Sequence, residues 1–396
     1  MLTYKVPFPP NSGYPIVVYN TIKGLLRHEV EVTLFSLNAS KQYVDLDDIS
    51  DPVYEAINFY SHDIETEANL WAMFLNVFSN ESYNVSRYYT EDAAKLLENI
   101  LRENEFDIVQ FEGLFVVPYL DVVKANTNAK LIYRAHNIVF DVWERLAYTE
   151  RFTPRRKYLE FLARRLKSYE TDQINRFHQI FAISEQDRQS ILRFGCETNL
   201  EVLPVALDLE KYITTTPSNS FPTLFHLGAM DFRPNKEGLE WFLYEIWPDI
   251  EKLNSELRFY IAGKNMQQEF FEYESDNVVV EGEILDAVEF INSKAIMIVP
   301  LLSGSGMRVK IIEGMAMRKC IIATTMAAEG IFCHHGKDIL IADTPDEFYR
   351  SILQCITNPA KLVEIGEQAR KTADKYYNIS SISERMLKIY ERLLNA

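Results

Sequence analysis

Glycine is scarce in this chain: 14 residues in 396, about half the usual share of roughly 7%. A chain that places so few glycines has a backbone reason for each. Ten of the 14 lie after residue 220, so tight turns and phosphate loops are expected in the second half. Cysteine is scarcer still. Cys196, Cys320, Cys333 and Cys355 form no C-x-x-C pair, which excludes a zinc framework and reads as reduced thiols in a cytoplasmic protein. Positive charge is in deficit, with 41 Lys and Arg against 57 Asp and Glu and a net charge of −16. That argues against nucleic acid as the main partner. Long apolar runs are missing. Ala295–Leu302 and Leu114–Leu120 fall far short of the roughly 20 residues a membrane-spanning helix needs. Pro7 arrives too early for the core of a signal peptide.

What is present is a globular balance, 47% hydrophobic and 25% charged, which excludes disorder. The length suggests two or three domains. Short apolar runs alternate with longer amphipathic stretches. Strands are expected at Leu2–Val6, Glu31–Leu37, Asp107–Phe111, Lys130–Arg134, Gln179–Ile183 and Glu201–Leu203, then at Thr223–Leu227, Arg258–Ala262, Val278–Val280, Ala295–Val299, Cys320–Ala323 and Ile339–Ile341. Helical patterns separate them, which argues for α/β domains with parallel sheets covered on both faces. The polar cluster ITTTPSNSFP at 213–222 reads as an interdomain linker. The expected domains are 1–212 and 213–378, with 379–396 a final helix packing back on the first. Segment 40–105 shows no clear strand and reads as helical decoration.

The strongest chemical signal is SGSGMRVKIIEGMA at 303–316, directly after an apolar strand. Gly304 and Gly306 allow a tight turn, and a helix begins after it. Such a turn presents unpaired N–H groups able to hold phosphate. Arg308 and Lys310 add cations at a helix start, where the dipole disfavours them unless an anion is bound. The alternative is a plain strand–helix turn with two solvated basic residues. Glu313, further along, suits a pair of sugar hydroxyls or is an exposed helix glutamate. His136 ends an apolar strand, where an imidazole can serve a hydroxyl or a leaving-group oxygen; its alternative is a satisfied buried histidine. Asp45-Leu46-Asp47 has the spacing of a divalent-ion motif but reads as an acidic loop.

The run VPLLSGSGMRVKIIEGMAMRKCIIATTMAAEGI (299–331) resembles the donor-binding region of glycosyltransferase family 4. PFPPNSG (7–13), FDIVQFEG (106–113), IYRAHNIVFDVWER (132–145), IFAISEQDR (180–188) and HLGAMDFRPNKEGLEWF (226–242) are similar to family segments in the same order. The resemblance implies the GT-B fold, two Rossmann-like doubly wound domains facing a deep cleft. It implies retaining transfer of a sugar from a UDP- or GDP-sugar, metal-independent and without a cofactor, to a saccharide or lipid-linked acceptor in polysaccharide or glycoconjugate synthesis. His136, Arg308 and Lys310 are the implied catalytic residues. Gly13, Gly228, Arg233, Lys236, Gly304, Ser305, Gly306, Met307, Glu313, Glu329 and Gly330 are the implied donor-binding residues, with Glu329 and Gly330 either closing the pocket or capping a helix. Three positions depart from the family: Ser305 stands at the first place of its Glu-x7-Glu pattern, Ala229 replaces an arginine after Gly228, and PVALD (204–208) replaces Pro-Asn-Gly-Val-Asp. Two alternative classes stay open: a nucleotide-sugar epimerase or a phosphorylase of the same fold, and a non-catalytic nucleotide-sugar-binding module, which Ser305 and Ala229 leave open.

Between Arg151 and Ser168 seven basic residues stand against Glu160 alone, beside Tyr158, Leu159, Phe161, Leu162 and Leu166. A basic amphipathic helix of this kind lies on anionic lipid, which adds peripheral contact at the inner face of the membrane to the expectation. The alternative is a core-packed helix with ion-paired arginines.

Overall fold

The computed structural model describes residues 1–66, 83–150, 152–212, 223–253, 256–304 and 306–395. The linker segment 213–222, Ser305 and Arg151 lie outside the described residues. The chain divides into two compact units, Met1–Leu207 with Ile379–Ala396, and Asp208–Asn378.

The first unit is built on a seven-stranded sheet ordered β3-β2-β1-β4-β5-β6-β7, parallel throughout. The strands are β1 (Leu2–Thr3), β2 (Thr33–Ala39), β3 (Asn58–Ile64), β4 (Ile108–Glu112), β5 (Lys130–Ala135), β6 (Gln179–Ala182) and β7 (Asn199–Val202). The strand order reverses at β1, between β2 and β4. In such sheets ligands bind beyond the strand C-termini at that reversal. Two residue groups sit there by topology: the 4–13 segment after β1 and Glu112 at the end of β4. His136 follows β5, the next strand.

One expectation needs correction. Segment 40–105 carries a strand, β3, paired with β2 from Thr33↔Asn58 to Ala39↔Ile64. As the sheet edge it is mostly half-buried, so NFYSHDI never shows the apolar run by which the other strands announce themselves. The helix Val139–Thr149 was also not expected from the sequence. Its N-terminus has no local side-chain cap. Instead the buried Glu170 carboxylate, on the helix Thr153–Ile174, accepts the N–H groups of Val139 and Phe140 at 3.3 and 3.2 Å.

The chain leaves this unit after Leu207 and re-enters at Ile379, whose N–H donates to the Leu207 carbonyl at 2.9 Å. The helix Ile379–Leu394 buries Ile379, Ile382, Met386, Ile389, Tyr390 and Leu393, a helical stripe. It shares a core with Val18, Ile22 and Leu25 of the helix Gly13–Leu26.

The second unit has a six-stranded sheet ordered β10-β9-β8-β11-β12-β13, also parallel. Its strands are β8 (Thr223–Leu227), β9 (Arg258–Ala262), β10 (Val278–Gly282), β11 (Ile296–Val299), β12 (Cys320–Ala323) and β13 (Leu340–Ile341). Phe242, Trp247 and Phe348 pack from the helices, with the Phe242 ring 4.9 Å from Phe259 and 5.8 Å from Phe348. Here the reversal lies between β8 and β11. Gly228 follows β8 and the Gly304 turn follows β11, so topology alone brings these distant segments together.

Candidate functional site

In the second unit, β11 runs through Pro300 into the glycine turn. Gly304 (φ 109°) and Gly306 (φ 81°) both hold left-handed backbone, which side-chain-bearing residues rarely adopt. The helix that follows spans Val309–Ala316, so Arg308 is its N-cap residue rather than part of its first turn. Arg308 is 7% exposed and donates to the Gly306 carbonyl. Its guanidinium thus folds back across the turn.

Lys310, within the first helical turn, reaches the end of β8. Its Nζ donates to the Leu227 carbonyl at 3.1 Å and to Asn235 Oδ1 at 2.9 Å. Asn235 Nδ2 in turn donates to the Ala229 carbonyl at 2.9 Å. Room for this is made by Gly228: a Cβ there would stand 3.0 Å from Lys310 Nζ and 2.8 Å from Asn235 Nδ2. A Cβ on Gly263 would fall 1.7 Å from the Gly228 carbonyl oxygen, so two glycine backbones meet beside the lysine. Burial, and after it the Arg308 charge, push Lys310 down to about 7, with Glu313 opposing. Two cations crowded at a helix N-terminus are held at an electrostatic cost that an anion would relieve.

Glu313, one turn on, accepts a hydrogen bond from Tyr212 Oη at 2.9 Å. Burial raises its carboxyl above the ordinary value, with Tyr212 and Lys310 opposing. Arg233 and Lys236 are engaged elsewhere. Arg233 pairs with Glu237 at 2.5 Å, and Glu237 accepts from Ser303 Oγ at 2.9 Å. Lys236 donates to Gln267 at 2.6 Å and Glu269 at 2.9 Å. Met307 is half-buried in the turn, and Ser305 lies outside the described residues. Glu329 and Gly330 (φ 78°) lie in the 325–330 turn after β12. No helix begins there, so the helix-cap reading falls away.

In the first unit, Gly13 is exposed at the start of the helix Gly13–Leu26. His136 Nε2 lies 2.5 Å from Glu112 Oε2, and Glu112 is fully buried. Burial would raise the Glu112 carboxyl, but His136, Arg134 and Gln110 together hold it below its usual range. Burial lowers His136, with Glu112 opposing and Arg134 adding to the effect. The Tyr14 ring lies 4.7 Å from the imidazole, and its hydroxyl donates to the Glu112 carbonyl at 2.9 Å.

Three partners escaped sequence reading: Glu112, Asn235 and Tyr212. Each stands 24 to 101 residues from the group it contacts. Asp45, of the acidic motif, accepts from the Asp47 amide at 3.1 Å as a turn former. Among the described residues no group of three or more His, Cys, Asp or Glu is placed to hold a metal ion.

The model described as "Glycosyltransferase Family 4" matches residues 12–211, and that described as "Glycosyl transferases group 1" matches 221–358. An uncharacterized 44.6 kDa protein in the cps region of Klebsiella pneumoniae is 24% identical over 167 residues, 40% of this chain and 43% of that protein. The matched region thus spans less than half of that relative. Among solved structures, Anabaena Alr3699/HepE in complex with UDP aligns at TM-score 0.69 and 12% identity, over 99% of both chains. Sucrose-phosphate synthase from Thermosynechococcus elongatus aligns at TM-score 0.72 and 13% identity, over 100% of this chain and 98% of its own. At such identities the likeness is one of fold, the two-sheet α/β architecture termed GT-B.

Proposed function

This chain belongs to glycosyltransferase family 4, and from that premise we propose that it moves a sugar from a UDP- or GDP-sugar, with retention at the anomeric carbon, to a saccharide or lipid-linked acceptor. The observation that carries the reading is the Gly304–Gly306 turn opening a helix, with Arg308 at the N-cap and Lys310 anchored to the end of β8. The N–H groups of a helix start and two closely held cations form a receptor for a diphosphate. Breaking the glycosidic bond leaves negative charge on that diphosphate. Arg308 and Lys310 stabilise it as it departs, the role of pre-organised charge in a desolvated site. Glu313, steadied by Tyr212, takes the ribose hydroxyls. The chain's own cations do the work a metal ion would otherwise do, so no metal is required.

Two relatives support the nucleotide and the setting. Alr3699/HepE has been solved with UDP and with UDP-glucose, and the Klebsiella relative is described by its cps region. Synthesis of a polysaccharide or glycoconjugate is the process these favour. Contact with an anionic membrane surface belongs to the same proposal. The tip of the hairpin formed by helices 139–149 and 153–174 exposes Tyr148 (90%) and Phe152 (65%) beside Arg155, Arg156 and Lys157. The charge there is smaller than the sequence suggests, because Arg155 pairs with Glu150 and Arg156 with Glu160.

Incubation with labelled UDP- and GDP-sugars tests the reading. Transfer, or slow donor hydrolysis releasing the nucleoside diphosphate, supports it. Inversion within free donor indicates an epimerase, and binding without turnover a sensor module.

A further inference from the structure

Behind His136 runs a buried polar chain that ends on the last helix of the protein. Tyr390 Oη donates to Gln110 Oε1 at 2.5 Å. Gln110 Nε2 donates to Glu112 Oε1. Glu112 Oε2 meets His136 Nε2 at 2.5 Å. Gln110 and Glu112 are two residues apart on β4, so they share a face of the strand, and both are at most 1% exposed. Tyr390 is 7% exposed.

The donor and acceptor types fix the direction of this chain. A tyrosine hydroxyl gives its proton to the amide oxygen, which turns the amide NH2 toward Glu112. A carboxylate only accepts. The hydrogen in the last contact therefore sits on His136 Nε2. We propose that Glu112 is a positioning residue: clamped by Gln110 and Tyr390, it holds the Nε2–H of His136 inward and leaves Nδ1 as the ring nitrogen that accepts a hydrogen bond from a saccharide hydroxyl. The pairing stands on the geometry alone, and its link to a saccharide rests on the transferase reading above.

The surroundings agree. Arg134, on β5, is fully buried and donates to Thr21 Oγ1 at 2.5 Å and the Pro204 carbonyl at 3.2 Å. It supplies positive charge beside Glu112. The Met1 amino group also feels the carboxylate, but burial pushes it down to about 6, so near neutral pH it adds little charge. Tyr14 lies beside His136, Tyr4 packs on Tyr14 and Tyr390 ends the polar chain; all three are neutral, each raised above its ordinary value by burial. With Glu112 ionised and the imidazole kept from charging by its burial, neutral His136 has a lone pair only at Nδ1. The histidine is thereby an acceptor near neutral pH.

Nitrogen-15 NMR of the uniformly histidine-labelled full chain reads the tautomer directly, with the His136 signal assigned by its loss in His136→Gln. The parent should show the Nε2–H form. In Glu112→Gln, one amide hydrogen replaces the carboxylate lone pair facing the ring. His136 should then flip to the Nδ1–H form, and kcat/KM for the nucleotide-sugar donor should fall about 10- to 100-fold, the cost of a lost charge-assisted hydrogen bond. Tyr390→Phe leaves Glu112 in place and should keep the parent tautomer with a smaller loss. An Nδ1–H form in the parent overturns the proposal, even if Glu112→Gln fails to fold. So does a Glu112→Gln tautomer identical to the parent's, or a flip with undiminished kcat/KM. A flip in a protein whose parent turns over no nucleotide-sugar supports the pairing and overturns the transferase reading instead.

Discussion

Lys310 gathers most of the site's constraints into one side chain. It touches the end of β8 and Asn235, it shares a helix start with Arg308, and its neighbour Gly228 has no room for a Cβ. Replacing Lys310 with Ala should lower turnover roughly 10²–10³-fold with the melting temperature nearly kept, the usual cost of one pre-organised charge stabiliser. Glu313→Ala should instead weaken binding of the free nucleoside diphosphate, because its partner would be the ribose. Steady-state rates and diphosphate affinities for both variants check this pair of outcomes. The lysine also makes a pH prediction. In the protein alone it is pushed down to about 7, and a bound diphosphate raises it again. Its bound-state value is then above its free value, so binding takes up a proton between the two. Calorimetry near pH 8 in buffers of different ionisation enthalpy should register uptake approaching about one proton, and affinity should fall as pH climbs above about 7. Proton release, or pH-independent affinity, contradicts a lysine in contact with the anion.

At the scale of elements, the hairpin of helices 139–149 and 153–174 carries the membrane proposal. Charge reversal of Arg155, Arg156 and Lys157 to Glu should weaken sedimentation with anionic vesicles. Each basic residue near such a surface contributes about 1 kcal/mol, and donor binding should stay intact. Unchanged vesicle binding, or none in the parent, removes this contact from the account. The same hairpin shows where sequence reading stops. Its second helix is legible from its own pattern. The first is not, since its N-terminal amides are satisfied by Glu170 from the neighbouring helix. Strands β11 and β12 are legible because both faces are buried and their residues run apolar without interruption. β3 is not, because an edge strand needs only one good face. The glycine turn and the helix after it could be read from 303–316 alone. Glu112, Asn235 and Tyr212 could not, because nothing local marks a residue whose partner arrives from another strand or loop.

At the scale of the whole molecule, two parallel sheets each reverse strand order once, and each reversal collects the residues that matter. In the first unit it brings the Gly13 segment and Glu112 to the strand ends, with His136 following the adjacent strand. In the second it brings Gly228 and the Gly304 turn together, and Lys310 ties them to Asn235 on the helix that follows β8. The fold thus accounts for why residues scattered over the sequence meet in two small clusters, one around the paired His136 and Glu112 and one around Lys310 beside the glycine turn. The most direct test follows the anomeric proton by NMR while the protein is incubated with UDP- and GDP-sugars and saccharide acceptors. The account predicts release of the nucleoside diphosphate and a product with the donor's anomeric configuration, both lost in Lys310→Ala. Donor that binds and is never cleaved, or a product of inverted configuration, would contradict it.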